Sequence, residues 1–188
     1  MLIPISRIPP EVLTLIPDFW KRPGKDKAVI ALTHVCKAWR EMLTSRSSLW
    51  TNFVCLDGEK TRTYLERSKS SPIDLQMDRE EGLFHHDPFL QIFPHAASRL
   101  KSLYVAASPD HPQDITDYLT SPAPLLEDLS IFGSDDDDPF LGPEHPVLAT
   151  TLFGGDLSSL RMLCLFTVRT ELQWRNMVNL TELRLVTC

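Results

Sequence analysis

The sequence predicts a chain of mixed α and β structure, with helices near the N-terminus and a solenoid of short parallel strands behind them. An apolar stripe with the period of an α-helix runs from about Lys27 to Leu43. Farther on, the pattern LxxLx followed by an aliphatic residue occurs four times from Leu100 onward. The 15 prolines and only 7 glycines favour rigid turns over flexible linkers. Together these features predict an α+β or α/β fold.

Length and charge limit the possible partners. With 188 residues, 43% of them hydrophobic, the chain suits one ordinary domain or two small ones. Its net charge is −6, and the basic residues are scattered apart from a short run near Lys25. A nucleic acid is therefore not an expected partner, because its phosphates would be repelled. No apolar run reaches the length of a membrane span, so a membrane is not expected either.

The four cysteines are Cys36, Cys55, Cys164 and Cys188. None belongs to a CxxC pair, and the first three lie in apolar surroundings. This distribution predicts reduced core thiols of an intracellular protein rather than a disulfide framework. The N-terminal residues also lack the continuous apolar run of a signal peptide, so a cytoplasmic or nuclear location is expected.

A first helix is predicted over residues 9–16, PPEVLTLI. Prolines suit the first helical turn, and Glu11 complements the positive helix end. Pro17 should end or kink this helix, and a loop is expected over residues 21–26.

The second predicted helix is the strongest in the chain and covers about residues 27–43. One helical face carries its apolar side chains: Leu32, Val35, Cys36, Trp39, Met42 and Leu43. Cys36 is thus expected to be buried while His34 points away, so the two are not a reactive pair. A polar turn follows, and Leu49 and Trp50 are expected to return to the core.

The second part of the chain is a degenerate repeat. Its copies are LKSLYV, LEDLSI, LRMLCL and LTELRL, which begin at Leu100, Leu126, Leu160 and Leu180. A weaker fifth copy is SPIDLQM, residues 71–77. The spacing brackets the leucine-rich-repeat period of about 20–29 residues, with one insertion, although the usual asparagine after the strand is missing. Because one repeat cannot bury its leucines alone, stacked copies should form a parallel sheet with a continuous core.

Residues between the inward leucines are expected to face the concave side of this sheet and to bind a target protein. They are Ser102, Tyr104, Asp128, Ser130, Met162, Cys164, Glu182 and Arg184. Their mixture of polar, sulfur, aromatic and oppositely charged groups suits a peptide or protein better than a phosphate chain. A solvated surface without a ligand is the alternative for any one of them.

Catalytic and metal-binding patterns are weak. Asp135 to Asp138 fit no EF-hand frame, and His85-His86-Asp87 lack a zinc-ligand partner at suitable spacing. No GxSxG, P-loop or GxGxxG pattern occurs. The sequence therefore predicts a protein that is not an enzyme, with no catalytic residue, metal or cofactor. An enzyme with a cysteine or metal site is the least favoured alternative.

IPPEVLTLI followed by LTHVCKAWREMLTSRSSLWTNF resembles an F-box, of the variety found in fungal F-box-like proteins. The stretch TRTYLERSKSSPIDLQM, residues 61–77, resembles the helix that leads into the first strand in that family. The likeness implies an F-box-like helical domain, a small bundle of helices, over residues 1–55, a bridging helix or linker over 56–72 and irregular leucine-rich repeats over 73–188.

The resemblance also implies a function. F-boxes dock on the Skp-type adaptor of cullin–RING ubiquitin ligases, and the repeats behind them hold the target protein. Carried onto matching positions, the adaptor-binding residues would be Ile8, Pro9, Pro10, Glu11, Leu13, Ile16, Val35, Cys36 and Trp39. The chain would then be a substrate-recognition subunit whose partners are the adaptor, through it a cullin, and a target protein.

Two features depart from the family pattern. Pro17 stands where the first helix usually continues, and PDFWKRPGKDKAV, residues 17–29, is an unusual connection. They leave open an interaction scaffold with a degenerate F-box and no link to ubiquitin. A separate alternative is that the apolar stripe packs on the C-terminal half of the same chain instead of on a partner. At the other end, no polar cap follows the last predicted strand, so an open sheet edge and a truncated repeat array are expected near residues 186–188.

Overall fold

The computed structural model describes the following residues: Val12, 25–54, 58–77, 93–106, 119–133 and 147–186. Val12, within the predicted first helix, is helical and exposed; the rest of that helix lies outside the described residues. In the part of the chain that is described, no helix is both long and apolar enough to cross a membrane.

The described strands are all short. They are β1 (Asn52–Val54), β2 (Ile73–Met77), β3 (Leu100–Ala106), β4 (Asp128–Phe132), β5 (Val147–Leu148), β6 (Met162–Phe166), β7 (Arg169–Thr170) and β8 (Glu182–Val186). One six-stranded sheet has the order β1-β2-β3-β4-β6-β8, and every pair in it is parallel. Strands β5 and β7 form a separate parallel pair. The chain is therefore an α/β protein, and the prediction of a parallel sheet is confirmed.

The core lies on one face of this sheet because the strands pair in register. Leu75, Leu103, Leu129 and Leu163 are neighbours across four strands, and each is buried. The weak fifth copy of the pattern is strand β2. The final copy forms the edge strand β8, where Leu183 is 45% exposed because no further described strand or helix covers it.

Strand β1 was not predicted. Its three residues, Asn52 to Val54, bury only Phe53, and so short a segment has no measurable period. It pairs with β2 and lies within residues 1–55, the predicted helical domain. The domain boundaries themselves stay a prediction.

The described α-helices include α1 (Lys25–Thr33), α2 (Lys37–Ser45) and α3 (Gly58–Ser68), and residues 93–97 are also helical. The prediction of one continuous helix over residues 27–43 was wrong, because α1 and α2 are separated by a turn. The loop predicted over residues 21–26 also ends earlier, since α1 begins at Lys25. Among the described residues, the N-terminal part is a pair of short helices rather than a clear helical bundle.

The break between α1 and α2 has a local cause. The Thr33 hydroxyl donates to the Ile30 carbonyl at 2.6 Å, and the His34 and Val35 amides donate three residues back, which tightens the last turn. Cys36 then adopts an extended conformation, with φ −160° and ψ 171°, and precedes the first turn of α2. The prediction that Cys36 lies in a buried stripe was therefore wrong: its thiol is exposed.

Trp50 joins the N-terminal helices to α3. Its indole N–H donates to the Leu43 carbonyl at 2.9 Å, and its ring meets that of Tyr64 edge-on with centroids 5.1 Å apart. The Arg67 guanidinium lies 4.2 Å from the ring centroid, and Phe53 of β1 contacts Tyr64 from the sheet. This aromatic cluster connects α2, α3 and β1. Trp50 is fully buried, so the prediction that it returns to the core is confirmed.

Arg99 holds the C-terminal end of α3 against the turn before β2. Its guanidinium donates to the backbone oxygens of Leu65, Lys69 and Ser71 and to the Ser68 hydroxyl. Partial burial lowers the pKa of this guanidinium from its ordinary value. The group nevertheless stays charged at neutral pH and offsets the negative end of the helix dipole.

We expect Arg99→Met to lower the free energy of unfolding by about 1–2 kcal/mol, because several carbonyls lose a charged donor. Urea denaturation followed by circular dichroism measures this difference. Arg175→Met, at an exposed arginine, is the matched control. Equal losses in the two variants would contradict the capping role of Arg99.

Candidate functional site

The side of the main sheet opposite the leucine core is named here the half-exposed face. Because side chains alternate along each strand, the parallel register arranges this face in three rows. The first row is Asn52, Asp74, Ser102, Asp128, Met162 and Glu182. The second is Val54, Gln76, Tyr104, Ser130, Cys164 and Arg184. The third is Ala106, Phe132, Phe166 and Val186.

The structure brings together all the residues predicted to bind a target. Ser102, Asp128, Met162 and Glu182 are neighbours in the first row, and Tyr104, Ser130, Cys164 and Arg184 are neighbours in the second. Arg184 is exposed and the other seven are half-buried. Their common face follows from the sheet, whereas their contact with a target stays a prediction.

An aromatic cluster on this face was missed from the sequence. Tyr104 and Phe132 have ring centroids 5.1 Å apart, and Phe132 stacks on Phe166 at 6.0 Å. The sequence contains a pattern that could have predicted it: LEDLSIF and LRMLCLF both place a phenylalanine directly after the six-residue repeat. The alternation of the strand therefore continues for one position beyond the repeat that we recognised.

The charges of the half-exposed face lie in its first two rows. Glu182 accepts a hydrogen bond from Arg184 Nε at 2.6 Å, which neutralises both groups locally. Asp74 on β2 and Asp128 on β4 add two carboxylates on either side of Ser102, and within the described residues Asp128 has no ion-pair partner. The first row is consequently acidic, while the opposite ends of the strands carry the aromatic cluster.

Only part of the predicted adaptor-binding surface can be located. Ile8, Pro9, Pro10, Glu11, Leu13 and Ile16 lie outside the described residues. Val35 is 48% exposed and Cys36 is also exposed, at the turn between α1 and α2. Trp39, in contrast, is only 6% exposed and belongs to the core.

The other candidate chemistry is also placed in part. Asp135 to Asp138 and His85 to Asp87 lie outside the described residues. Where side chains are described, no group of three or more histidine, cysteine or acidic residues could hold a metal ion. Cys164 is a free, half-buried thiol in the second row, between Ser130 and Arg184.

Comparison with known proteins gives no relative from which a site could be transferred. The chain matches no protein-family model, and no curated protein is significantly similar to it.

Proposed function

We propose that this chain is a substrate receptor of a cullin–RING ubiquitin ligase and carries no catalytic residue of its own. Its N-terminal part docks a Skp-type adaptor, and its half-exposed face holds a target protein. The mechanism is proximity: a bound target keeps its lysines at high effective concentration near the ubiquitin-transferring enzyme. Such a function places the chain in the cytoplasm or nucleus.

The observation that carries the target-binding half of this proposal is the half-exposed face. An aromatic cluster next to polar and acidic rows combines large contact area with groups that can set orientation, as protein-binding surfaces require. The mixture of carboxylates and a paired arginine suits a protein better than a polyanion.

The adaptor-binding half rests on the resemblance of residues 8–50 to an F-box. The exposed turn at Val35 and Cys36 supports it, because these two matched residues are accessible to a partner. Trp39 supports the local packing instead, so its replacement would test folding as much as binding.

We expect the full chain to bind a Skp-type adaptor with submicromolar affinity in a calorimetric titration. Leu13→Asp and Val35→Asp should each weaken this binding at least about tenfold, because an unpaired carboxylate would be buried in an interface that excludes water. Val178→Asp is the matched control, since Val178 is 74% exposed and lies far along the chain from the proposed contact. Absence of binding by a folded chain would remove the receptor function.

A second candidate is a target-binding scaffold without a link to ubiquitin. The burial of Trp39 favours it, because this residue matches the F-box docking surface but packs in the core of the chain itself. A chain that captures a target protein but not the adaptor would establish this alternative.

A further inference from the structure

A groove of about 550 Å³ crosses the N-terminal ends of the neighbouring strands β3, β4, β6 and β8. It lies at the end of the sheet opposite the aromatic cluster. The second residue of each repeat copy lines it: Lys101, Glu127, Arg161 and Thr181. Pro72, Pro124 and Leu125 supply apolar lining. The volume is within the range of about 300–1,000 Å³ that ligand sites occupy.

Hydrogen bonds between successive turns fix the shape of this groove. The Glu127 amide donates to the Lys101 carbonyl at 2.8 Å, and the Arg161 amide donates to the Glu127 carbonyl at 2.7 Å. The Thr181 amide continues the series to the Arg161 carbonyl at 2.8 Å. Because the backbone is held across all four strands, a ligand would meet a preformed surface and little ordering entropy would be lost.

Two polar side chains that line the groove, Ser159 and Asn179, are held in the same way. The Ser159 hydroxyl donates to the Pro124 carbonyl at 2.6 Å, and the Asn179 amide donates to the Ser158 carbonyl at 2.6 Å. These bonds use the Ser159 hydroxyl donor and one of the two Asn179 amide donors, so the charged groups contribute most to selectivity in the groove.

One cation in the groove is uncompensated. Lys101 Nζ lies 3.8 Å from Glu127 Oε2, so these two charges largely cancel. Arg161 is exposed, and its guanidinium forms no ion pair with any residue that the structure describes. The charged side chains that line the groove, Lys101, Glu127 and Arg161, therefore carry a net charge of +1, in a chain whose net charge is −6. Leu125, 47% exposed, offers apolar contact beside this charge.

We infer that the groove binds a short acidic peptide segment, with a carboxylate on Arg161 and an apolar side chain on Leu125 and the two prolines. Three strand spacings separate Lys101 from Thr181, which is about 14 Å, or four to five extended residues. A nucleic acid fits less well, because a single free cation beside Glu127 cannot compensate a run of phosphates. This site is separate from the half-exposed face and does not depend on binding to an adaptor.

Fluorescence anisotropy with the full chain tests this inference. The probes are three labelled peptides, Leu-Glu-Pro-Leu-Glu-Leu and the versions with both glutamates replaced by glutamine or by lysine. We expect the acidic peptide to bind about fivefold more tightly than the glutamine version, and the lysine version to bind most weakly. The preference should weaken as salt is raised, since the contact is exposed.

Variants locate the site. Arg161→Glu should abolish the preference for the acidic peptide, whereas Arg161→Lys should retain most of it, because the charge is kept. Arg184→Glu is the matched control: this arginine is also exposed, but it is paired with Glu182 and lies outside the groove. Circular dichroism confirms that each variant is folded.

Three results would overturn the inference: equal affinity for the three peptides, an unchanged preference in Arg161→Glu, or no binding at millimolar peptide. Adaptor binding is measured on the same preparations, so failure of the groove and failure of the proposed receptor function are distinguished.

Discussion

Replacing Trp50 with alanine is expected to lower the free energy of unfolding by about 3–5 kcal/mol. Trp50 is fully buried, so its removal leaves a large cavity at the junction of α2, α3 and β1. The Leu43 carbonyl also loses the indole donor, and Tyr64 loses its edge-on ring contact. A domain of ordinary stability, about 5–15 kcal/mol, would become marginal.

Urea denaturation followed by far-ultraviolet circular dichroism measures this loss. Trp174→Ala makes the same chemical change at a tryptophan that is 46% exposed, and it should cost less than about 1 kcal/mol. Trp50→Phe keeps most of the buried volume but removes the N–H donor, so an intermediate loss is expected. If Trp50→Ala were no more damaging than Trp174→Ala, the aromatic cluster would not be the junction of the fold.

Gly133→Ala is expected to lower the free energy of unfolding by about 1–3 kcal/mol, although it adds only one methyl group. A Cβ atom at Gly133 would lie 2.5 Å from the Thr167 carbonyl oxygen and 2.7 Å from its hydroxyl. The backbone there cannot easily shift, because Gly133 donates to the Phe166 carbonyl and Thr167 to the Val186 carbonyl, both at 2.8 Å. These bonds continue the hydrogen bonding between strands by one residue beyond the ends of β4 and β6.

Thermal unfolding compares Gly133→Ala with Ser130→Ala, a control in the adjoining strand that adds no atom. The control should unfold near the wild-type temperature, and Gly133→Ala several degrees lower. Equal midpoints in the two variants would show that the backbone at Gly133 can move away from Thr167 without loosening the neighbouring strands.

The sheet could be predicted from the sequence because its signal is periodic. Leu103, Leu129 and Leu163 occupy equivalent positions in copies of one pattern, and a single strand cannot bury such residues alone. The face carrying Tyr104, Ser130 and Cys164 followed from the alternation of side chains along a strand. Phe132 and Phe166 obey the same rule, but they stand one position beyond the repeat as we defined it.

The helix break could not be predicted in the same way. The apolar spacing from Leu32 to Leu43 is compatible with one continuous helix, and no glycine or proline interrupts it. The hydrogen bond from Thr33 to Ile30 and the extended Cys36 end α1 early. Consequently Val35 and Cys36 are exposed while Trp39 is buried, although all three fit one helical stripe.

By itself, the sequence determined the parallel sheet, its buried leucines and the side chains of its opposite face, because these depend on local periodicity. Only the tertiary structure decided that β1 joins the sheet, that Trp50 connects helices to strands, and that Lys101, Glu127 and Arg161 line one groove. The physical reason is distance along the chain. Trp50 contacts residues 7 and 14 positions away, whereas the pairing of β1 and the lining of the groove join residues more than 20 positions apart. No local pattern specifies which of these residues will meet.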